Sequence, residues 1–249
     1  TDSLGDVLDE SGRELVENGH MELLPLLQDL EKDHFGPRTW ASILEMRGDI
    51  LSIQGRWDDA EKEYEEALPL VKKHKVKEIE GRILSSKADL SVHRGDSDSA
   101  LELHRNALEI FIDLGNAMGA ARTYTNMGFI FRHKKDMKRA LEVYGNVEEL
   151  LSTEANPELV DVRIKLASAL LEMGEVDRSR EHALTSFEET ENGDDLGLHA
   201  RSRAVLGRLY ARTGDPDLAL HHYTEALKQM AEETNQRSAV EVTILLGEA

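Results

Sequence analysis

Small residues recur in this chain at a nearly fixed interval. Gly48, Ala88, Gly128, Ala167, Gly207 and Gly247 are separated by 40, 40, 39, 40 and 40 positions. Other columns keep step with them. Seven residues after each of the first five small residues comes a turn position: Gly55, Gly95, Lys135, Gly174 and Gly214. Five further on stand Ala60, Ala100, Ala140, Ser179 and Ala219, and four beyond those Tyr64, His104, Tyr144, Ala183 and Tyr223. Three more positions give Ala67, Ala107, Val147, Ser186 and Ala226. Self-similarity at such a period is the signature of a tandem array, in which each unit buries its apolar face only against its neighbours.

The columns define a unit of two helices, A and B. Helix A ends at the turn glycine, which enters the left-handed conformation without a Cβ penalty. Helix B often opens on Asp, as in "GRWDDAEKEYEEAL" (55–68) and "GDPDLALHHYTEAL" (214–227), where a carboxylate can cap the first turn. Glycine inside a helix costs about 1 kcal/mol relative to alanine. Gly128 in the middle of a helix A therefore implies close approach of another helix. Long segments lacking Gly and Pro, and five prolines in all, favour helix over sheet.

Composition narrows the function. The net charge of −19 argues against broad contact with a nucleic-acid backbone or an anionic membrane, both of which call for a positive face. With no cysteine there is no disulfide, Cys-bound zinc or thiol nucleophile. There is no apolar run of membrane-spanning length, and "TDSLGDVLDE" is not a signal peptide. Phosphate-loop, dinucleotide, H-E-x-x-H and EF-hand motifs are all absent. "GNAMGAAR" (115–122) reads as a helix stop followed by a start. His221 and His222 are adjacent and point about 100° apart on a helix. His104 sits in a tyrosine column and reads as a packed histidine, whereas His93 and His133 hold equivalent positions of neighbouring units. The acidic run "DDAEKEYEE" (58–66) reads as a solvated helix face. No enzyme, metal or cofactor is expected.

The columns resemble the tetratricopeptide repeat (TPR) family: "VLGRLYARTGDPDLALHHYTEAL" (205–227) fits every position of that motif, and "GDILSIQGRWDDAEKEYEEAL" (48–68) nearly so. The period is longer than the common 34 and resembles the long-helix variant of kinesin light chains, polarity adaptors and microbial signalling proteins. The resemblance implies an all-α, right-handed superhelical solenoid of antiparallel helix pairs, spanning 1–249 as one domain. Full repeats are expected at 38–75, 76–115, 116–154, 155–193 and 194–234, after a degenerate repeat at 3–35. Residues 235–249 would be helix A of a sixth repeat cut short, with "SAVEVTILLGEA" aligned on "HARSRAVLGRLY". That cut, and Thr1 in place of Met, lead to the expectation of a longer parent protein and of weak self-association through 238–249.

The same resemblance points to a ligand site. In long-period TPR adaptors an Arg and an Asn in R-x-x-x-N-L-G line the concave groove and hold an extended peptide. Here "RTYTNMG" (122–128) resembles that element through Arg122 and Asn126. Arg82 and Arg201 repeat the Arg position, Asp161 replaces it in the fourth repeat, and Ser86, Lys165 and Val205 stand where Asn126 does. Arg132, Arg208 and Arg212 fall further along the same helices, with Arg94 closer to the turn. Two readings stand: arginines paired with the surplus carboxylates, or a groove that holds a protein or peptide, suited to an acidic segment. The expected function is a non-catalytic, cytoplasmic protein-interaction module. The alternative is the sensor arm of a multidomain microbial signalling ATPase or transcription regulator.

Overall fold

The computed structural model describes residue 16 and residues 20–151, 156–193 and 195–232. The region expected to self-associate, 238–249, lies outside the described residues, as do the whole of 235–249 and most of the segment before residue 20. Among the described residues there is no strand. A short α1 (Leu23–Gln28) and a single 3-10 turn (Lys32–His34) precede ten long helices: α2 (Pro37–Ile53), α3 (Trp57–His74), α4 (Lys77–His93), α5 (Ser97–Asp113), α6 (Ala117–His133), α7 (Met137–Leu151), α8 (Pro157–Met173), α9 (Val176–Thr190), α10 (Leu196–Thr213) and α11 (Pro216–Glu232).

The fold is the all-α solenoid of helix pairs expected from the sequence. The even-numbered helices from α2 to α10 are the A helices, and each is followed by its B helix. Each A helix ends within two residues of its turn position, and the turn residue is left-handed every time: φ is 75° at Gly55, 81° at Gly95, 60° at Lys135, 82° at Gly174 and 86° at Gly214. Lys135 bears a side chain there, at a cost the glycines avoid. Helix starts are capped by Asx side chains. Asp96, Asn116, Asp136, Asn156, Asp195 and Asp215 each accept a hydrogen bond from a backbone N–H of the first turn.

The chain divides into two compact units, residues 1–123 and 124–249, with the boundary inside α6. In the first unit α2 packs on α3 and α4 on α5, while α3 also meets α4 and α2 meets α4. In the second unit the pairs are α8 with α9 and α10 with α11, joined through α7–α8, α9–α10 and α8–α10 contacts. A helices thus touch A helices directly in both units.

The small columns are the seams of the pairs. Ala60, Ala100, Ala140 and Ser179 are fully buried, as are Ala67, Ala107, Val147, Ser186 and Ala226. A Cβ built on Gly207 would lie 2.7 Å from the Tyr223 ring, and on Gly48 or Gly128 it would strike Tyr64 or Tyr144 harder still. Gly128 is thus the packing glycine its position implied. Where alanine replaces the glycine, a smaller group replaces the tyrosine: His104 beside Ala88 and Ala183 beside Ala167. Ring size and backbone-side size are complementary, as close packing requires. Ser179 keeps the seam polar-satisfied by donating to the Ala167 carbonyl at 2.7 Å.

Candidate functional site

Because A helices contact one another, side chains on their shared face meet across consecutive repeats. In the first unit this face is closed by carboxylates. Both Arg82 nitrogens Nε and Nη2 donate to Glu45 at 2.6 Å, a bidentate pair between α4 and α2 whose side chains are 10 % and 2 % exposed. Glu78 stands 3.5 Å from the same guanidinium. One turn on, Asp49 accepts from Tyr64 Oη at 2.6 Å and from Ser86 Oγ at 2.9 Å. Burial first, then the Asp49 charge, drives the Tyr64 phenol well above its ordinary pKa. Asp89 takes the Asp49 position of the next repeat and lies 3.6 Å from His104 Nε2, too far for a hydrogen bond. His104 is fully buried with neither ring nitrogen hydrogen-bonded, and burial pushes its pKa down to about 4.

In the second unit the same face is basic. Along α8, Asp161, Lys165, Ser168 and Glu172 follow the helical period, and along α10 Arg201, Arg208 and Arg212 do so. Arg201 reaches Asp161 at 2.5 Å, and Lys165 pairs with the same carboxylate. Burial alone would raise the Asp161 pKa, but the charges of Lys165 and Arg201 and their hydrogen bonds outweigh it and hold it below the usual value. Arg132 of α6 donates to Glu172 at 2.6 Å, and Arg208 lies 3.9 Å from that carboxylate. Arg212 is exposed at the end of α10. On α6, Asn126 is half-buried and Phe129 is 45 % exposed. Arg132, Lys165, Arg201, Arg208 and Arg212 outnumber Asp161 and Glu172, against the sign of the whole chain.

The arginines expected from spacing therefore divide. Arg82 is enclosed and fastens α4 to α2. Arg132 and Arg201 are half-buried in ion pairs between A helices, and Arg208 is buried beside Glu172. Arg122 is exposed, and both it and Asn126 are already engaged by neighbouring groups. Arg94 turns to α3, donating to Asp58 and Glu61. Sequence reasoning overlooked the partners Glu45, Asp49 and Glu172. A signal was present: Arg132 and Glu172, like Asp161 and Arg201, are opposite charges 40 positions apart, one repeat along. Among the described residues no group of His, Asp and Glu could hold a metal ion, and no helix is long and apolar enough to cross a membrane.

Antiparallel helix pairs, seamed by small residues that in most pairs face a ring, and stacked so that A helices share a face, define a tetratricopeptide-type solenoid. The model of the soluble NSF attachment protein (SNAP) family matches residues 48–192, more than half of the chain, and that of the tetratricopeptide repeat matches 159–232. The chain belongs to the tetratricopeptide-repeat family, in the branch that the soluble NSF attachment protein model describes. It is similar to the 43 kDa receptor-associated protein of the synapse from Tetronarce californica, 27 % identical over 135 residues. That match takes in 54 % of this chain and 33 % of the relative, so the chain spans about a third of that protein's length. Among solved structures, the apo form of RapI superposes with a TM-score of 0.75 at 14 % identity, covering 98 % of this chain and 71 % of that one. NprR in complex with its cognate peptide NprX gives a TM-score of 0.67 at 15 % identity, covering 99 % and 72 %. At such identities the likeness is one of fold.

Proposed function

We propose that the chain is a non-catalytic interaction module that takes an extended, acidic segment of a partner protein on the A-helix face of its second unit. The observation that carries this reading is the local reversal of charge. In a chain of net charge −19, that face gathers Arg132, Lys165, Arg201, Arg208 and Arg212 around Asp161 and Glu172. Guanidinium groups hold carboxylates bidentately, and the Asn126 amide can both donate to and accept from a peptide backbone. Arg82, committed to Glu45, would serve by holding the helices in place. The exposed Phe129 ring offers an apolar contact beside the charges. That NprR, of similar fold, holds a peptide supports the reading.

Selection of a random-peptide display library against the protein tests it. Peptides rich in Asp and Glu are expected, with affinity falling as salt rises. Enrichment of basic or purely apolar peptides, or salt-independent binding, would overturn it. A second reading makes the chain the sensor arm of a larger signalling ATPase or transcription regulator. It is favoured by NprR and RapI, whose chains extend beyond the part matched here. A nucleotide-binding core encoded in the same reading frame would support it.

A further inference from the structure

On the side of α10 away from Arg201 and Arg208 lies a cluster of rings that the proposed ligand does not use. His199 is 5 % exposed. Arg203 Nε donates to its Nε2 at 3.0 Å, so that nitrogen carries the lone pair and the ring proton sits on Nδ1. Nδ1 then donates to Thr190 Oγ1 at 2.9 Å, and the hydroxyl in turn donates to the carbonyl of Ser186 or Phe187. Both nitrogens are committed while the imidazole is neutral. A second proton could enter only on the atom that faces the Arg203 N–H.

Phe187 of α9 stacks on His199 at 5.0 Å and meets the edge of His222 of α11 at 6.0 Å. His222 in turn stacks on Tyr210 at 5.4 Å and 13°. The Arg203 guanidinium lies 5.0 Å above the Phe187 ring. His222 Nδ1 is buried without a hydrogen bond. Rings from three helices thus surround one cation. The other charged or titratable groups near it are Glu191 beyond the end of α9, and His221 and Glu225 on α11. Only Glu191 favours a proton on His199. Elsewhere α11 is held by Tyr223 over Gly207, and by Ala226 and Met230 against Ala200 and Ala204.

We propose that Phe187, His199, Arg203, Tyr210 and His222 form an acid-sensitive latch, which binds α11 to α9 and α10 while both imidazoles are neutral and releases it when they take up protons. Protonation would place like charges around Arg203 inside a half-buried stack and break the Arg203–His199 hydrogen bond. Burial first, then the Arg203 charge, holds both imidazoles below their ordinary pKa. The released state therefore binds more protons. The latch is whole above about pH 6.5, the free histidine value, and weakens as pH falls below it.

Hydrogen exchange of the whole protein between pH 7.5 and 5, corrected for intrinsic rates, reads the latch directly. Amides of α11 are expected to lose protection at least tenfold more than those of α2 and α3. The His199→Gln/His222→Phe variant should hold α11 protection level across the range. If that variant folds poorly, Arg203→Met gives a second reading: with the cation gone, the acid-dependent loss should shrink. Parallel loss in α11 and in α2 and α3, or an undiminished loss in Arg203→Met, overturns the proposal.

Discussion

The two units build the same A-helix face and charge it oppositely. The residue that follows the packing position is Asp49 or Asp89 in the first unit, and Phe129, Ser168 or Arg208 in the second. In the first unit Asp49 receives the Tyr64 hydroxyl, and Arg82 is shut between carboxylates. In the second, Tyr144 and Tyr223 lie near Arg132 and Arg208, with no carboxylate accepting from them. The scaffold is set by the seams, and this one neighbouring column is free to change its charge without disturbing them.

The largest break in this comparison is expected at Glu45. Glu45→Ala leaves the Arg82 guanidinium enclosed without its bidentate partner, which costs about 3–5 kcal/mol for a buried pair. Urea unfolding followed by the fluorescence of Trp40 and Trp57, both in the first unit, measures it. A loss below about 1 kcal/mol would mean that the pair is solvated and the face open.

Next comes acid. His104 is neutral in the fold with a pKa near 4, against about 6.5 when unfolded, so the unfolded chain binds more protons between those values. Its contribution is complete above pH 6.5 and falls by about 3 kcal/mol as pH drops to 4. Converting the pair to the form found in the second unit, Ala88→Gly/His104→Tyr, should remove that share of the acid loss.

Smaller is the difference between tyrosines. Tyr64→Phe removes a hydrogen bond to a carboxylate and should cost about 2 kcal/mol, whereas Tyr144→Phe or Tyr223→Phe should each cost under about 1 kcal/mol. Equal losses would erase the distinction. The smallest effect on stability belongs to Arg212→Ala, which should leave the melting temperature unchanged. It should weaken an acidic peptide selected on the protein about tenfold, comparable to a modest interface contact.

The seams were legible in sequence because they rest on backbone geometry and volume. Left-handed turns and ring-against-glycine contacts admit few residues, so they recur in register even where Lys135 breaks the glycine column. The polar face was legible only by position. Arg82 and Arg201 share a column, yet one is enclosed by Glu45, three residues before its own packing glycine, and the other meets Asp161 in the same column one repeat back. Which partner an arginine finds depends on how neighbouring A helices stagger, and a single repeat does not encode that. The His199 cluster was less visible still, since it joins α9, α10 and α11 mostly through residues outside the seam columns.

The complementarity of ring and small residue also orders the routes by which such repeats can diverge. From an alanine–histidine seam to a glycine–tyrosine seam, changing the ring first drives it into a Cβ, and overpacking costs typically about 1–3 kcal/mol. Changing Ala88 to Gly first leaves only a slight void and a helix-propensity cost of about 1 kcal/mol. Drift between the two seams therefore has a cheap direction: the glycine arrives before the tyrosine and leaves after it. A lineage sampled midway would show glycine beside histidine far more often than alanine beside tyrosine.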